Sequence, residues 1–258
     1  MIDCHTHLAS REFDGDRDEV LARARAAGVS HVALVGQDDE ENRTVLGLTR
    51  ASPGLLCFLG LHPDRFADRA PSIAPEEVTR IVEMVRRQGA ALTGIGEVGL
   101  DHWVCQQAER REAQHEAFAR MVRLALELDK PLNVHSRSAG RHTIDLLLDQ
   151  GARAVLMHAF DGRAFHALRG VEAGFVFSIP PSIVRSPQKQ KLVRRLPLEA
   201  LALETDSPVL GPTREERNEP ANVALAARAI AEIKGLTLEE VELSTTENAR
   251  RLFGLAGE

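Results

Sequence analysis

Short apolar runs return along the chain, each closed by turn or cap residues. They predict strands at Ile2–Leu8, His31–Gly36, Leu55–Leu61, Leu92–Leu100, Pro131–Ser136, Ala154–Ala159, Phe175–Ile179 and Ala200–Thr205. Between these runs the apolar spacing becomes that of a helix. Residues 109–128 show it best: Ala117, Met121, Leu124 and Leu128 recur at i, i+4, i+7 and i+11, flanked by Arg and Glu. Gly28, Gly89, Gly151 and Gly174 each follow a helical run, where a C′ glycine closes a helix. Residues 237–254 add a further helical segment after the last strand.

A strand–helix rhythm repeated eight times predicts an α/β fold, a parallel (β/α)8 TIM barrel. An open doubly wound sheet would want a glycine-rich phosphate loop after the first strand, and MIDCHTHL has none. The length of 258 residues is ordinary for one barrel. No linker, repeat or low-complexity tract interrupts it, so residues 1–258 read as a single domain.

Composition narrows the picture. Hydrophobic residues make up 43% and charged ones 27%, which are globular values. The net charge of −6 argues against a broadly basic coat for nucleic acid, while leaving room for a local basic patch. Three cysteines, Cys4, Cys57 and Cys105, show no paired spacing, which suits a reducing cytoplasm better than a disulfide framework. Cys4 and Cys57 fall in strand-like runs and read as small core residues. The first strand begins at residue 2, so no leader peptide is expected, and no apolar stretch reaches the length of a membrane span.

Candidate chemistry gathers at the strand ends. His5 and His7 close the first strand. On a regular strand they share one face, with Asp3 below them and Cys4 and Thr6 opposite. Ten histidines make roughly 0.4 such His-x-His pairs by chance, so the pair alone is weak. Its partners decide the matter. Glu97 stands on strand four, His135 on strand five, His158 on strand six and Asp206 at the end of strand eight. In a barrel these ends lie together. Four imidazoles and two carboxylates suit two divalent cations, with Glu97 able to give one oxygen to each. A plain polar strand end explains any one of these residues more simply; it does not explain all six.

These residues carry a resemblance. MIDCHTHL, GLHPD, GEVGLD, NVHSR, MHAFDG, LETDSP, RNEP and TTENARRLFGL together resemble the TatD family of metal-dependent hydrolases, within the amidohydrolase-like barrels, from residue 1 to residue 255. MHAFDG departs slightly: the family commonly has Cys after the His and Ser before the Gly. The resemblance implies metal ligands at His5, His7, Glu97, His135, His158 and Asp206. It also implies a deoxyribonuclease that trims DNA from the 3′ end; the leading expectation extends this to RNA. The residue chemistry agrees: two metals about 3.5–4 Å apart can activate water and clamp a displacement at phosphorus. His5, His7 and Asp206 are assigned to one ion and His135 and His158 to the other, with Glu97 shared. Asp206 doubles as general base. Zn, Mg, Mn and Ni all suit the donor set.

Several neighbours are candidates for support or substrate contact. By strand parity, Asn133 and Arg137 share the face of His135, and Glu204 that of Asp206. Asp3 and Glu204 then orient ligands or their partners, the alternative being a solvated rim or a structural ion pair. Arg137 and Arg185 are the leading phosphate contacts, Arg185 from a basic stretch with Lys189, Lys191, Arg194 and Arg195. Arg194 and Arg195 read as solvated, and Arg163 and Arg217 as evenly balanced. His62 contacts substrate, protonates the leaving oxygen, or caps its loop. Asp101 and His102 line the mouth or form a turn; Trp103 packs or stacks a base. His31, His115, His142 and His166 read as structural. Two other functions stay open: an esterase, lactonase or amidase using the same metals, and a metal-binding scaffold. The expected protein is a monomer or weak homo-oligomer that does not enter a membrane.

Overall fold

The computed structural model describes residues 1–70 and 73–255; the last residues of the expected 1–258 unit lie outside them. Eight parallel strands form one sheet in sequential order: β1 Ile2–Thr6, β2 His31–Val35, β3 Leu55–Leu59, β4 Gly94–Gly99, β5 Leu132–His135, β6 Val155–Met157, β7 Val176–Ile179 and β8 Leu201–Leu203. The barrel shuts where Thr6 bridges Ser207. There His7 N–H donates to Ser207 O at 2.8 Å and Asp206 N–H to His5 O at 2.9 Å. Helices alternate with the strands: α1 Arg17–Ala26, α2 Asp39–Ala51, α3 Pro75–Gln88, α4 Ala108–Leu128, α5 Gly140–Asp149, α6 Ala164–Glu172, α7 Pro187–Arg195 and α8 Val223–Lys234.

Two apolar layers hold the barrel. Outward residues such as Val32, Leu34, Leu59, Ile95, Val134 and Leu203 pack under the helices. Met121 and Leu124 of α4 face them, as the spacing over 109–128 requires. Inward residues Ile2, Cys4, Ala33, Val35, Phe58, Leu156, Val176 and Ala202 form a second cluster. The final helix, α9 Leu238–Phe253, adds Ala249 and Phe253 to this cluster, the Phe253 ring meeting Phe58 edge-on at 5.1 Å. Thr237 and Glu240 start α9 with a reciprocal capping box, and Gly254 ends it with φ 64°. Among the described residues no helix is long and apolar enough to cross a membrane.

Three details differ from the sequence pattern. Most strands stop short of their apolar runs, so His7, His158 and Asp206 sit just past β1, β6 and β8. The chain turns there: Ala159 and Asp206 adopt φ 41° and 54°, a region L-residues avoid unless their surroundings hold them. Gly89 is not a left-handed cap; with φ −42° it continues into a 3-10 turn, whereas Gly28, Gly151 and Gly174 have φ of 84°, 70° and 84°. Finally, pairing shifts register between Asp3 and Thr6 and between Ile95 and Val98. Such a shift breaks strict alternation. Cys4 therefore packs inside with Ile2 while His5 also reaches the interior site.

Candidate metal centre

The two register shifts fall beside His5 and Glu97. Around Glu97 the backbones come unusually close. A Cβ on Gly99, whose φ is 147°, would lie 2.0 Å from His135 O, and one on Gly60 would lie 2.4 Å from Glu97 O. Glycine at both positions lets β3, β4 and β5 converge, and the Glu97 carboxylate ends up buried in the middle.

Its two oxygens face two groups of donors. Glu97 Oε2 lies 3.5 Å from His5 Nε2 and 3.3 Å from His7 Nε2; Asp206 Oδ1 lies 3.5 and 3.3 Å from the same nitrogens. The two imidazole nitrogens are 3.4 Å apart. Donors around a tetrahedral ion at about 2.0–2.1 Å stand roughly 3.3–3.4 Å apart, so these spacings fit a divalent cation. Glu97 Oε2 is also buried and accepts no hydrogen bond among the described residues. Glu97 Oε1 meets His135 Nδ1 at 2.8 Å, His158 Nε2 at 2.9 Å and His62 Nε2 at 3.3 Å. Those are hydrogen-bonding separations, and an ion there would replace the protons that the imidazoles share with the carboxylate. His5 also joins His158 and Asp206 in a group whose ligand atoms lie within 4.8 Å of one another, as do those of His62, Glu97 and His135.

The far side of each ring is held as well. Asn133 Nδ2 donates to Cys4 O at 2.9 Å, which aims its Oδ1 at His5 Nδ1, 2.7 Å away. That bond places the His5 proton on Nδ1 and leaves the Nε2 lone pair facing Glu97 and Asp206. His135 Nε2 donates to Asp101 Oδ2 at 3.1 Å, leaving Nδ1 for Glu97. Gln37 lies 3.2 Å from His7 Nδ1. His158 stacks on His5 with ring centres 3.7 Å apart, and its Nδ1 stands 3.7 Å from Glu204 Oε2. Glu204 spends its hydrogen bonds on the Ala159 N–H at 2.8 Å and the Ser178 hydroxyl at 2.5 Å. Asp3 does not orient a ring. Its carboxylate takes the Thr205 N–H at 2.9 Å and the Thr205 hydroxyl at 2.6 Å, tying β1 to the segment after β8.

Charge in this pocket is strongly organised. Burial works against ionising Glu97, but His62, His158 and His5 outweigh it and hold Glu97 well below the ordinary carboxylate range. Asp206 is lowered in the same way, by the His7 hydrogen bond and neighbouring imidazoles acting against burial. Burial together with nearby His158 keeps His5 below its usual value. His7 and His158 are raised despite burial, His7 by the Asp206 hydrogen bond and then Glu97, His158 by Glu97 and then Glu204. His62 is pushed up to about 10 by Glu97 and Asp64 against its burial. The acids thus draw positive charge into a dry site, the demand that a divalent cation meets.

A cavity of about 580 Å³ opens over the cluster. Arg137 lines it, exposed, with its guanidinium over the Trp103 ring. His62 belongs to the donor cluster itself. Arg185 is not among the lining residues; its Nε donates to Gly211 O at 3.2 Å. Lys189 lines the wall instead, nearly buried, its Nζ donating to Ala159 O at 2.9 Å. Burial pushes its ammonium down from the usual lysine value, with Glu204, Asp161 and Asp206 opposing. Arg217 pairs with Asp16, away from this wall, and Arg194 and Arg195 are exposed. Gln37, beside His7, and His62, beside Glu97, are members of the cluster that the sequence did not reveal: both stand just past an apolar strand, like the candidate ligands, but neither lies in a metal-like motif.

A (β/α)8 barrel with carboxylates and imidazoles clustered at the C-terminal strand ends is the arrangement of a class of metal-dependent hydrolases. Within that class, the model of the family described as TatD related DNase matches residues 2–254, and the chain belongs to this family. Human "Deoxyribonuclease TATDN3" is 45% identical over 258 residues, covering 98% of this chain and 94% of that protein. The "3'-5' ssDNA/RNA exonuclease TatD" of Pectobacterium atrosepticum is 30% identical over 269 residues, covering 99% of this chain and all of that protein (100%). Among solved structures, the TatD homologue YJJV of Escherichia coli superimposes with a TM-score of 0.90 at 25% identity, over 99% of this chain and 98% of that one.

Proposed function

We propose that this TatD-type hydrolase removes nucleotides from the 3′ end of DNA, and of RNA, using two divalent cations. The observation that carries the reading is the shared Glu97 carboxylate, one oxygen among His5, His7 and Asp206 and the other among His135 and His158. In this assignment His5, His7 and Asp206 would hold one ion and His135 and His158 the other, with Glu97 available to both. When bound, such ions polarise phosphoryl oxygens and lower the pKa of water. Zn, Mg, Mn and Ni all fit the mixed nitrogen and oxygen donors.

The chain's own groups do the rest. Asp206, held ionised, accepts the proton of the attacking water at a carboxylate oxygen. Arg137 brings a guanidinium to the substrate phosphate, and Lys189 adds an ammonium from the first turn of α7. His62 carries a proton toward the leaving oxygen. Arg137 and Lys189 in the cavity wall suit a phosphodiester better than the ester, lactone or amide of the alternative reading. Arg185, turned to Gly211, contributes less than Arg137. The three free cysteines are all buried, in keeping with a reducing cytoplasm, and we place the protein there as a monomer or weak homo-oligomer. Incubation of metal-loaded protein with 3′- and 5′-labelled single strands checks the reading. Stepwise loss of the 3′ label, abolished by chelation, is expected; no metal-dependent phosphodiester cleavage would refute it.

A further inference from the structure

Trp103 is the chain's single tryptophan, and it is 61% exposed. A tryptophan that packs a core hides most of its ring. This one stands on the loop after β4 at the catalytic end of the barrel. Its position is not loose. Asp101 Oδ1 accepts the N–H of Trp103 at 2.8 Å and that of Val104 at 3.1 Å. The other oxygen of the same carboxylate accepts His135 Nε2–H at 3.1 Å. One buried acid therefore holds both a candidate metal ligand and the backbone that carries the indole.

Arg137 connects the indole to the cavity. Its Cζ lies 5.2 Å from the ring centre, while the side chain forms part of the cavity wall over Glu97 and Asp206. The backbone keeps the two residues in register, His102 N–H donating to Arg137 O at 3.0 Å. Arg137 takes no side-chain hydrogen bond or ion pair among the described residues, so its donors are free to meet a phosphate. Outward from the cluster follow the cavity, the Arg137 guanidinium on its wall and the open indole beneath that guanidinium.

We propose that Trp103, backed by Arg137, stacks an unpaired base of the substrate next to the phosphate being cut. The inference rests on the nucleic-acid reading above and adds to it a base-binding surface. Stacking of this kind works for any base, because every base offers a π face, and it requires the base to be unpaired. In a duplex the base beside the scissile phosphate is held in its pair and stack, and it reaches the indole with that phosphate at the cluster only by fraying. The surface therefore selects single strands and sets affinity, leaving the bond-breaking step to the cluster.

The lone tryptophan makes the test direct. Metal-loaded protein is titrated with a short phosphorothioate-linked single strand while indole emission is followed. Steady-state cleavage of the ordinary strand is measured for wild type, Trp103→Ala and Trp103→Phe. Stacking is expected to quench the emission saturably. Trp103→Ala should raise KM by about fivefold to a hundredfold, the range that base–aromatic stacking spans, with kcat little changed. Trp103→Phe should recover part of the loss, and blunt duplex ends should be cut more slowly and respond less to the substitution than single strands. Unchanged emission on binding, or a Trp103→Ala protein that cleaves single strands with wild-type KM, overturns the base platform while leaving the nuclease intact. A fall in kcat at constant KM also overturns it, by showing that Trp103 only positions the His135 side. If no strand is cut by any variant, the nuclease reading itself fails, and the platform with it.

Discussion

The two ends of the barrel interior obey different rules. At the N-terminal end, Ile2, Cys4, Ala33, Val35, Phe58 and Ala202 point inward in regular alternation and are plugged by Ala249 and Phe253. At the C-terminal end alternation fails. Register shifts in β1 and β4, and left-handed φ values at Ala159 and Asp206, deliver His5, Glu97, His158 and Asp206 to one point. Apolar contacts are tolerant of small rearrangements, whereas donors around a cation must meet within tenths of an ångström. The regular end supplies stability, and the irregular end spends some of it to aim side chains.

Substitutions can test that division. The largest effect on activity is expected from Asp206→Asn, which removes an acceptor for the water proton and a candidate ligand together. Its kcat should fall by about 10²–10⁴-fold, read by single-turnover cleavage, with the fold intact by circular dichroism. Asn133→Ala touches no substrate but frees the His5 ring to turn. Metal affinity, measured by calorimetric titration, should drop by about 10–100-fold, and excess metal should restore much of the rate. Phe253→Ala at the other end should cost about 3–5 kcal/mol of stability in a denaturant titration while leaving kcat and metal affinity unchanged. A Phe253→Ala protein that stays folded but loses metal would break the division between the ends.

Legibility in the sequence follows the same line. Regular strands and helices announce themselves through period, so the barrel and the core stripe of α4 could be read from local patterns. His5, Glu97, His135, His158 and Asp206 were visible because each stands at or just past an apolar run, and five strand ends share one space. What could not be read depends on contacts far apart in the chain. Parity puts Asp3 under His5, but the register shift and Thr205, 202 residues away, claim its carboxylate. Arg185 looked nearer the strand end than Lys189, yet the turn before α7 sends Arg185 to Gly211 and Lys189 to Ala159. Trp103 gave no local sign of whether it packs or lies open. Its exposure is a property of the assembled rim.

The central claim is that one carboxylate, Glu97, serves two cation sites at once. Counting bound ions per chain, by titrating the metal-free protein with Mn²⁺ and repeating with Glu97→Gln, tests it most directly. Two ions per wild-type chain are expected, with both weakened together in Glu97→Gln and phosphodiester cleavage lost in step. Two ions retained at wild-type affinity in Glu97→Gln, or a single ion supporting full activity in the wild type, would contradict it.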